Sequence, residues 1–238
     1  MSLDVQGLSL SMKGRKVLDG VSFSVPAGGS LGIVGTMGSG KTSLLHCIKG
    51  IIPSIVKGEM QGSVLLGGAA RKPMDMGIGI VFQNPNDQIF CPTLREEVEF
   101  GLRNQRWNGQ LEERAAEALW KVGLHKRAEE DPFDLSHGQR QKLAIASVLA
   151  MDPGVILLDE PTSSLDHRTS LEIYSILSGL TREGKTVVVV EHDTDLLLGL
   201  GKQFLVLDSG RVVAQGDESI FLRGEVADCG VKIPWKRS

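Results

Sequence analysis

"GTMGSGKT", Gly35 to Thr42, decides how the rest of this sequence is read. It fits the phosphate-loop pattern GxxxxGK[ST] at every fixed position. The apolar run "SLGIV" leads into it and the helical stretch "KTSLLHCIKGI" leads out, so the context is the strand-loop-helix that the pattern needs. Glycines let the backbone wrap a phosphate closely, and the helix start points N–H groups and its positive dipole end at it. Lys41 suits the β- and γ-phosphates, and the Thr42 hydroxyl suits Mg²⁺. The whole loop, Gly35, Thr36, Met37, Gly38, Ser39, Gly40, Lys41, Thr42 and Ser43, is therefore expected to hold a nucleotide.

Two later runs support that expectation. "VILLDEP", Val155 to Pro161, is an apolar strand ending in two carboxylates. A buried strand cannot keep ionised carboxylates inside, so Asp159 and Glu160 should emerge at its C-terminal end, where ligands bind in such sheets. Asp159 suits a Mg²⁺ contact, and Glu160 suits a general base that orients or deprotonates an attacking water. "VVVVEHD" repeats the geometry and puts His192 at a second strand end. Gln83, in "IVFQNP", follows a third apolar run and can meet Mg²⁺ or water; alone it would read equally well as a turn residue.

Away from these motifs the pattern is that of an α/β protein. "VQGLSLSM", "VSFSV" and "GSVLLGG" alternate short strands with Gly turns, which predicts an antiparallel β-region. "LEERAAEALWKVGL" has helical spacing, with Leu111, Ala115, Leu119 and Val122 on one face. "GVILLDE" and "KTVVVVEH" read as strands buried on both faces of a parallel sheet, joined by helical "RTSLEIYSILSGLTREG". "KQFLVLDSGRVVAQGD" reads as a hairpin around Asp208-Ser209-Gly210. The expected architecture is an α/β core, an antiparallel flap and a helical segment inserted between two core strands.

Composition narrows the function classes. Over 238 residues, 26 basic side chains face 29 acidic ones, which gives no electrostatic footprint for nucleic acid or anionic lipid. Cys47, Cys91 and Cys229 have no CxxC spacing and read as free thiols. The start lacks a secretory pattern. The longest apolar runs fall far short of the roughly 18 to 20 residues that a membrane span needs. The expected setting is the cytoplasm, with any membrane role exercised through a partner.

"DLSHGQRQKLAIA", Asp134 to Ala146, turns polar just before an apolar helix. Ser136 is a good N-cap, but one cap does not account for Gly138, which is costly in a first turn. A cap with a glycine beside it reads as a second anion site, for the phosphate of another nucleotide.

Taken in order, the phosphate loop, Gln83, "LSHGQ" at Leu135 to Gln139, "ILLDEP", "SSLD" at Ser163 to Asp166 and His192 resemble the ATP-binding-cassette (ABC) ATPases. That resemblance implies a P-loop NTPase fold with a RecA-like core and an antiparallel β subdomain, residues 1–92 and 152–238, and an α-helical subdomain, residues 93–151. It implies ATP and Mg²⁺ as ligands and a head-to-tail pair of ATPase subunits. Ser136 and Gly138 would then bind the γ-phosphate in trans, with His137 and Gln139 in the same nucleotide-binding segment and Asp166 at the dimer seam. Glu160 would be the catalytic base, His192 the switch residue, and Gln83 the link to a transport partner. Met12 falls where the family stacks adenine on an aromatic ring, and a thioether lacks that ring face. His137 stands where the commonest signature has glycine, and its protonation is expected to strengthen closure at mildly acidic pH.

"FQNPNDQIFCPTLREEVEFG", Phe82 to Gly101, is similar to the run after the glutamine in ATPases of energy-coupling factor (ECF) importers of vitamins and cobalt or nickel. Its polar middle would also suit a plain turn. The implied partners are a second ATPase subunit, homomeric or related, a transmembrane coupling subunit and a substrate-binding membrane component. The implied location is the inner face of the cell membrane. The rival reading is a soluble ABC ATPase working with nucleic acid or ribosomes; the fused cassettes and long basic or coiled-coil insertions usual there are not seen in this sequence.

Overall fold

Where the sequence shows unbroken apolar runs, the computed structural model has strands covered on both faces. It describes residues 1–72, 74–105, 109–201 and 203–235. Lys202, in the run read as a hairpin, residues 106–108 of the helical segment and the last three residues of the chain lie outside that description. In order, the chain forms β1 (Leu3–Met12), β2 (Arg15–Val25), β3 (Ser30–Val34), α1 (Lys41–Lys49), the short α2 (Ile51–Ser54), β4 (Glu59–Leu66), β5 (Ala69–Ala70) and β6 (Ile78–Val81). Helices α3 (Leu94–Asn104), α4 (Leu111–Lys121) and α5 (His137–Ala150) follow. Then come β7 (Val155–Asp159), α6 (His167–Arg182), β8 (Thr186–Val190), α7 (Thr194–Leu198), β9 (Phe204–Asp208), β10 (Arg211–Gly216) and α8 (Gly224–Asp228).

The strands form two sheets. A four-stranded sheet has the order β2-β1-β4-β5, and a six-stranded one the order β10-β9-β3-β8-β7-β6. The first is antiparallel throughout; in the second, β9, β3, β8, β7 and β6 are parallel and only the β9–β10 hairpin reverses. That hairpin pairs Arg211 with Asp208, so it turns where Ser209-Gly210 was expected to turn it.

Period-two geometry sorts the parallel strands' side chains between two cores. On β7, Ile156 and Leu158 join the core under α3, α4, α5 and α6, while Val155 and Leu157 join the one shared with the antiparallel sheet and α1. On β8, Val187 and Val189 take the first side and Val188 and Val190 the second. Neither face meets water, so these strands have no polar alternation to show. Each fully buried Val or Leu adds about 1.5–3 kcal/mol by burial. On α4, Ala115 and Leu119 are buried as the helical spacing predicts, as is Val122 just past its end; Leu111 is half-buried, and Ala118 joins the buried face.

Candidate functional site

The parallel sheet brings the motifs to one edge. Along it, β3, β8, β7 and β6 are neighbours, and their C-terminal ends carry the phosphate loop, His192, Glu160 and Gln83 in that order. Val81 pairs with Leu158 and Asp159 with Val190, so the loops after β6, β7 and β8 start level with one another. Glu160, on the middle strand, is gripped from both sides. Its Oε2 accepts from Gln83 Nε2 at 2.8 Å, and its Oε1 lies 2.8 Å from His192 Nε2. Glu160 holds a left-handed backbone, φ 44°, a conformation that costs a non-glycine residue of the order of 1–3 kcal/mol. Backbone strain of this kind clusters at functional sites.

The phosphate loop is shaped by what a side chain would hit. A Cβ on Gly35 would stand 2.0 Å from the Leu207 carbonyl oxygen, and Gly40 combines φ 102° with Leu18 at 2.9 Å. Lys41 is 5% exposed, and its Nζ donates to the carbonyls of Gly35 and Thr36, both at 2.8 Å. Burial lowers its pKa, and the nearby Glu160 and Asp159 carboxylates oppose that. Thr36 Oγ1 donates to Asp208 Oδ1 at 3.2 Å, which ties the loop to the end of β9.

Asp159 is 3% exposed. Burial raises its carboxyl above the usual range, and a hydrogen bond with the Thr42 side chain is the chief opposing influence. Among the described residues, Asp159 Oδ1 and Ser39 Oγ are buried with no hydrogen-bond partner. Orphaned oxygens beside a glycine cradle and a buried lysine are what a phosphate with its cation would satisfy. No group of three or more His, Cys, Asp or Glu among the described residues could hold a metal alone. Thr42 and Asp159, joined by a side-chain hydrogen bond, with Gln83 beside the same cavity, are the oxygen-bearing groups that would hold a Mg²⁺ ion. A cavity of about 350 Å³ at the loop is lined by Val17, Met37, Gly38, Gly40, Lys41, Thr42, Ser43, Gln83, Glu160 and His192.

The sequence missed two contributors. Val17 of β2 lines the cavity, whereas Met12 ends β1 and packs against the core of the antiparallel sheet. A valine in a strand gives no local sign of such a role. Glu191 is 4% exposed, contacts the Thr162 hydroxyl and accepts the His192 N–H at 3.0 Å. Burial raises its pKa.

Ser136, His137, Gly138, Gln139 and Asp166 gather elsewhere, at the N-termini of α5 and α6. None lines the phosphate-loop cavity. Ser136 Oγ accepts from the Gln139 N–H at 3.3 Å, and Gln139 Oε1 accepts from the Ser136 N–H at 3.0 Å, a complete capping box. Arg127 also donates to Gln139 Oε1 at 2.9 Å. Asp166 caps α6, accepting from the Thr169 N–H at 3.0 Å and its hydroxyl at 2.7 Å. A Cβ on Gly138 would lie 2.5 Å from Thr169 Cγ2. Close packing of α5 on α6 thus gives the glycine a reason of its own, beside the anion site expected from the sequence.

Residues 18–163 match the sequence pattern of the ABC transporter family. The chain belongs to that family. This ABC ATPase is 40% identical over 225 residues to the energy-coupling factor transporter ATP-binding protein EcfA of Carboxydothermus hydrogenoformans, covering 93% of this chain and 83% of that one. It is 37% identical over 231 residues to EcfA of Methanosphaera stadtmanae, covering 93% and 82%. The solved structure of cbiO1 from Clostridium perfringens, part of the ABC transporter complex cbiONQ, aligns with TM-score 0.82 at 30% identity, over 95% of this chain and 92% of that one. The fold, ATP binding and ATPase activity follow from membership. No helix among the described residues is long and apolar enough to cross a membrane.

Proposed function

We propose that this ABC ATPase energises an ECF-type importer of a small micronutrient, a vitamin or a transition-metal ion. Its partners in this reading are a second ATPase subunit, a transmembrane coupling subunit and a substrate-binding membrane component, assembled on the inner face of the membrane. The observation that carries the catalytic part is the grip on Glu160, held at 2.8 Å by Gln83 and by His192 at the edge of the phosphate-loop cavity. Identity of about 40% to EcfA proteins supports the importer class.

In this mechanism the phosphate-loop amides and Lys41 hold the β- and γ-phosphates, and Thr42, Asp159 and Gln83 face the metal. Mg²⁺, when bound, draws off charge on the phosphate oxygens. Glu160 orients the attacking water and takes its proton, a role its fixed carboxylate suits. His192 holds Glu160 and faces the γ-phosphate. That none of the α5-start residues lines the phosphate-loop cavity supports a site completed by the α5 start of a second subunit. On that reading Ser136 to Gln139 and Asp166 serve the neighbour's nucleotide.

Glu160→Gln tests this directly. It should cut ATP turnover by about a hundredfold or more and trap an ATP-bound dimer. A variant that stays monomeric in light scattering with ATP sinks the dimer mechanism. Equal displacement of ATP by GTP would remove the adenine assignment. Recovery of the chain without membrane proteins from its native membrane would count against the importer.

A further inference from the structure

The chain after α8 contributes to the site without touching the nucleotide cavity. Gly230, Val231 and Lys232 line a second cavity of about 310 Å³ with Val34, Gly35, Thr36, Met37 and His192. The two cavities share Met37 and His192. Gly230 faces the phosphate loop, where a Cβ would stand 3.7 Å from Thr36 Cγ2. Two residues on, Lys232 Nζ reaches Asp193 Oδ1 at 3.1 Å and Asp195 Oδ2 at 2.8 Å, and the Trp235 N–H donates to Asp195 Oδ1 at 2.8 Å.

Asp193 follows His192 directly and is the N-cap of α7. Its Oδ1 accepts from the Asp195 N–H at 3.0 Å and the Leu196 N–H at 3.4 Å. The oxygen that fixes the backbone after the switch histidine is thus the one Lys232 holds. We infer that residues 230–235 form a clasp across the phosphate loop and the α7 start, and that Lys232, acting through Asp193, is a positioning residue for His192. The pairing also raises the lysine's pKa, chiefly through its hydrogen bond with Asp195, so the ammonium stays charged at neutral pH. His192 itself is 47% exposed, and its ring is held from one side by Glu160. A backbone free to drift would weaken that contact. The clasp removes the drift.

This inference rests on the catalytic reading of His192, and its test separates the two. In Lys232→Ala, kcat for ATP should fall about two- to fivefold, the scale of an exposed ion pair, while KM for ATP moves less than about twofold. Lys232→Arg should restore kcat. The difference between wild type and Lys232→Ala should narrow as NaCl is raised, because an exposed pair is screened. Hydrogen exchange of amides 193–198 should quicken in Lys232→Ala. Unchanged exchange and unchanged kcat overturn the clasp. Faster exchange with no loss of turnover overturns the positioning role. A wild-type chain that hydrolyses no ATP, yet shows the exchange difference, overturns the catalytic reading and leaves the clasp standing.

Discussion

The N-terminus of α1 and that of α5 were both read as anion sites, yet the structure treats them differently. Helix α1 starts from Gly40 with no side-chain cap and no acidic residue in its first turn. Helix α5 starts from Ser136 with a complete capping box. One end keeps its amides for a ligand. The other has already spent the Gln139 amide on its own chain, so an incoming phosphate would compete with Ser136. In the single subunit one helix start is therefore open and the other is closed on its own cap, and both carry a glycine. At Gly40 the glycine answers to the loop's backbone; at Gly138 it answers to Thr169 on the next helix.

That difference can be broken from the α1 side first, where the largest effect lies. Lys41→Ala removes the side chain that braces the Gly35 and Thr36 carbonyls and, in this reading, neutralises phosphate. Turnover should fall by about a hundredfold or more in a steady-state ATPase assay. Retained turnover would show that the open amides suffice.

On the α5 side, Gly138→Ala should cost about 1–3 kcal/mol in chemical denaturation, because the new methyl meets Thr169 Cγ2. Adding Thr169→Ser, which deletes that methyl and keeps the hydroxyl for Asp166, should recover most of the loss. No recovery would leave the anion site as the reason for Gly138. Ser136→Ala should cost about 1 kcal/mol as a lost cap, a loss with no counterpart at the uncapped α1 start.

The smallest effect concerns pH. The Thr169 N–H and hydroxyl hold the Asp166 carboxyl below its usual range. A depressed carboxylate adds stability above its unfolded pKa and loses it as pH falls through the folded one. Thermal midpoints of wild type should therefore fall slightly more steeply below about pH 4 than those of Asp166→Asn, which keeps a capping side chain. Parallel curves would show that Asp166 gains nothing from its charge.

Much of this was legible along the chain because it is local. A phosphate loop is one contiguous segment, and "VILLD" and "VVVV" announce strands buried on both faces by their lack of alternation. Glu160 could be placed past a strand end because an ionised carboxylate is costly inside; Asp159 sits at the end of β7 as expected but is buried there. Gln83 was ambiguous as a single residue, since a glutamine after a strand serves a turn as well as a site. Its value appears only when β6 pairs with β7 and its amide reaches Glu160. Val17 gave no sign at all, because lining a cavity is a property of neighbours.

The sequence by itself determined the strand-loop-helix, the order of the motifs and which runs are buried, since periodicity and backbone preference act over a few residues. Only the tertiary structure decided that Glu160 is held from two strands, that Gly138 yields to Thr169, and that Lys232 reaches the residue after His192. Those contacts join positions 31 to 77 residues apart. Over such separations nothing local favours one partner over another. Sheet register and helix packing alone bring them within bonding distance.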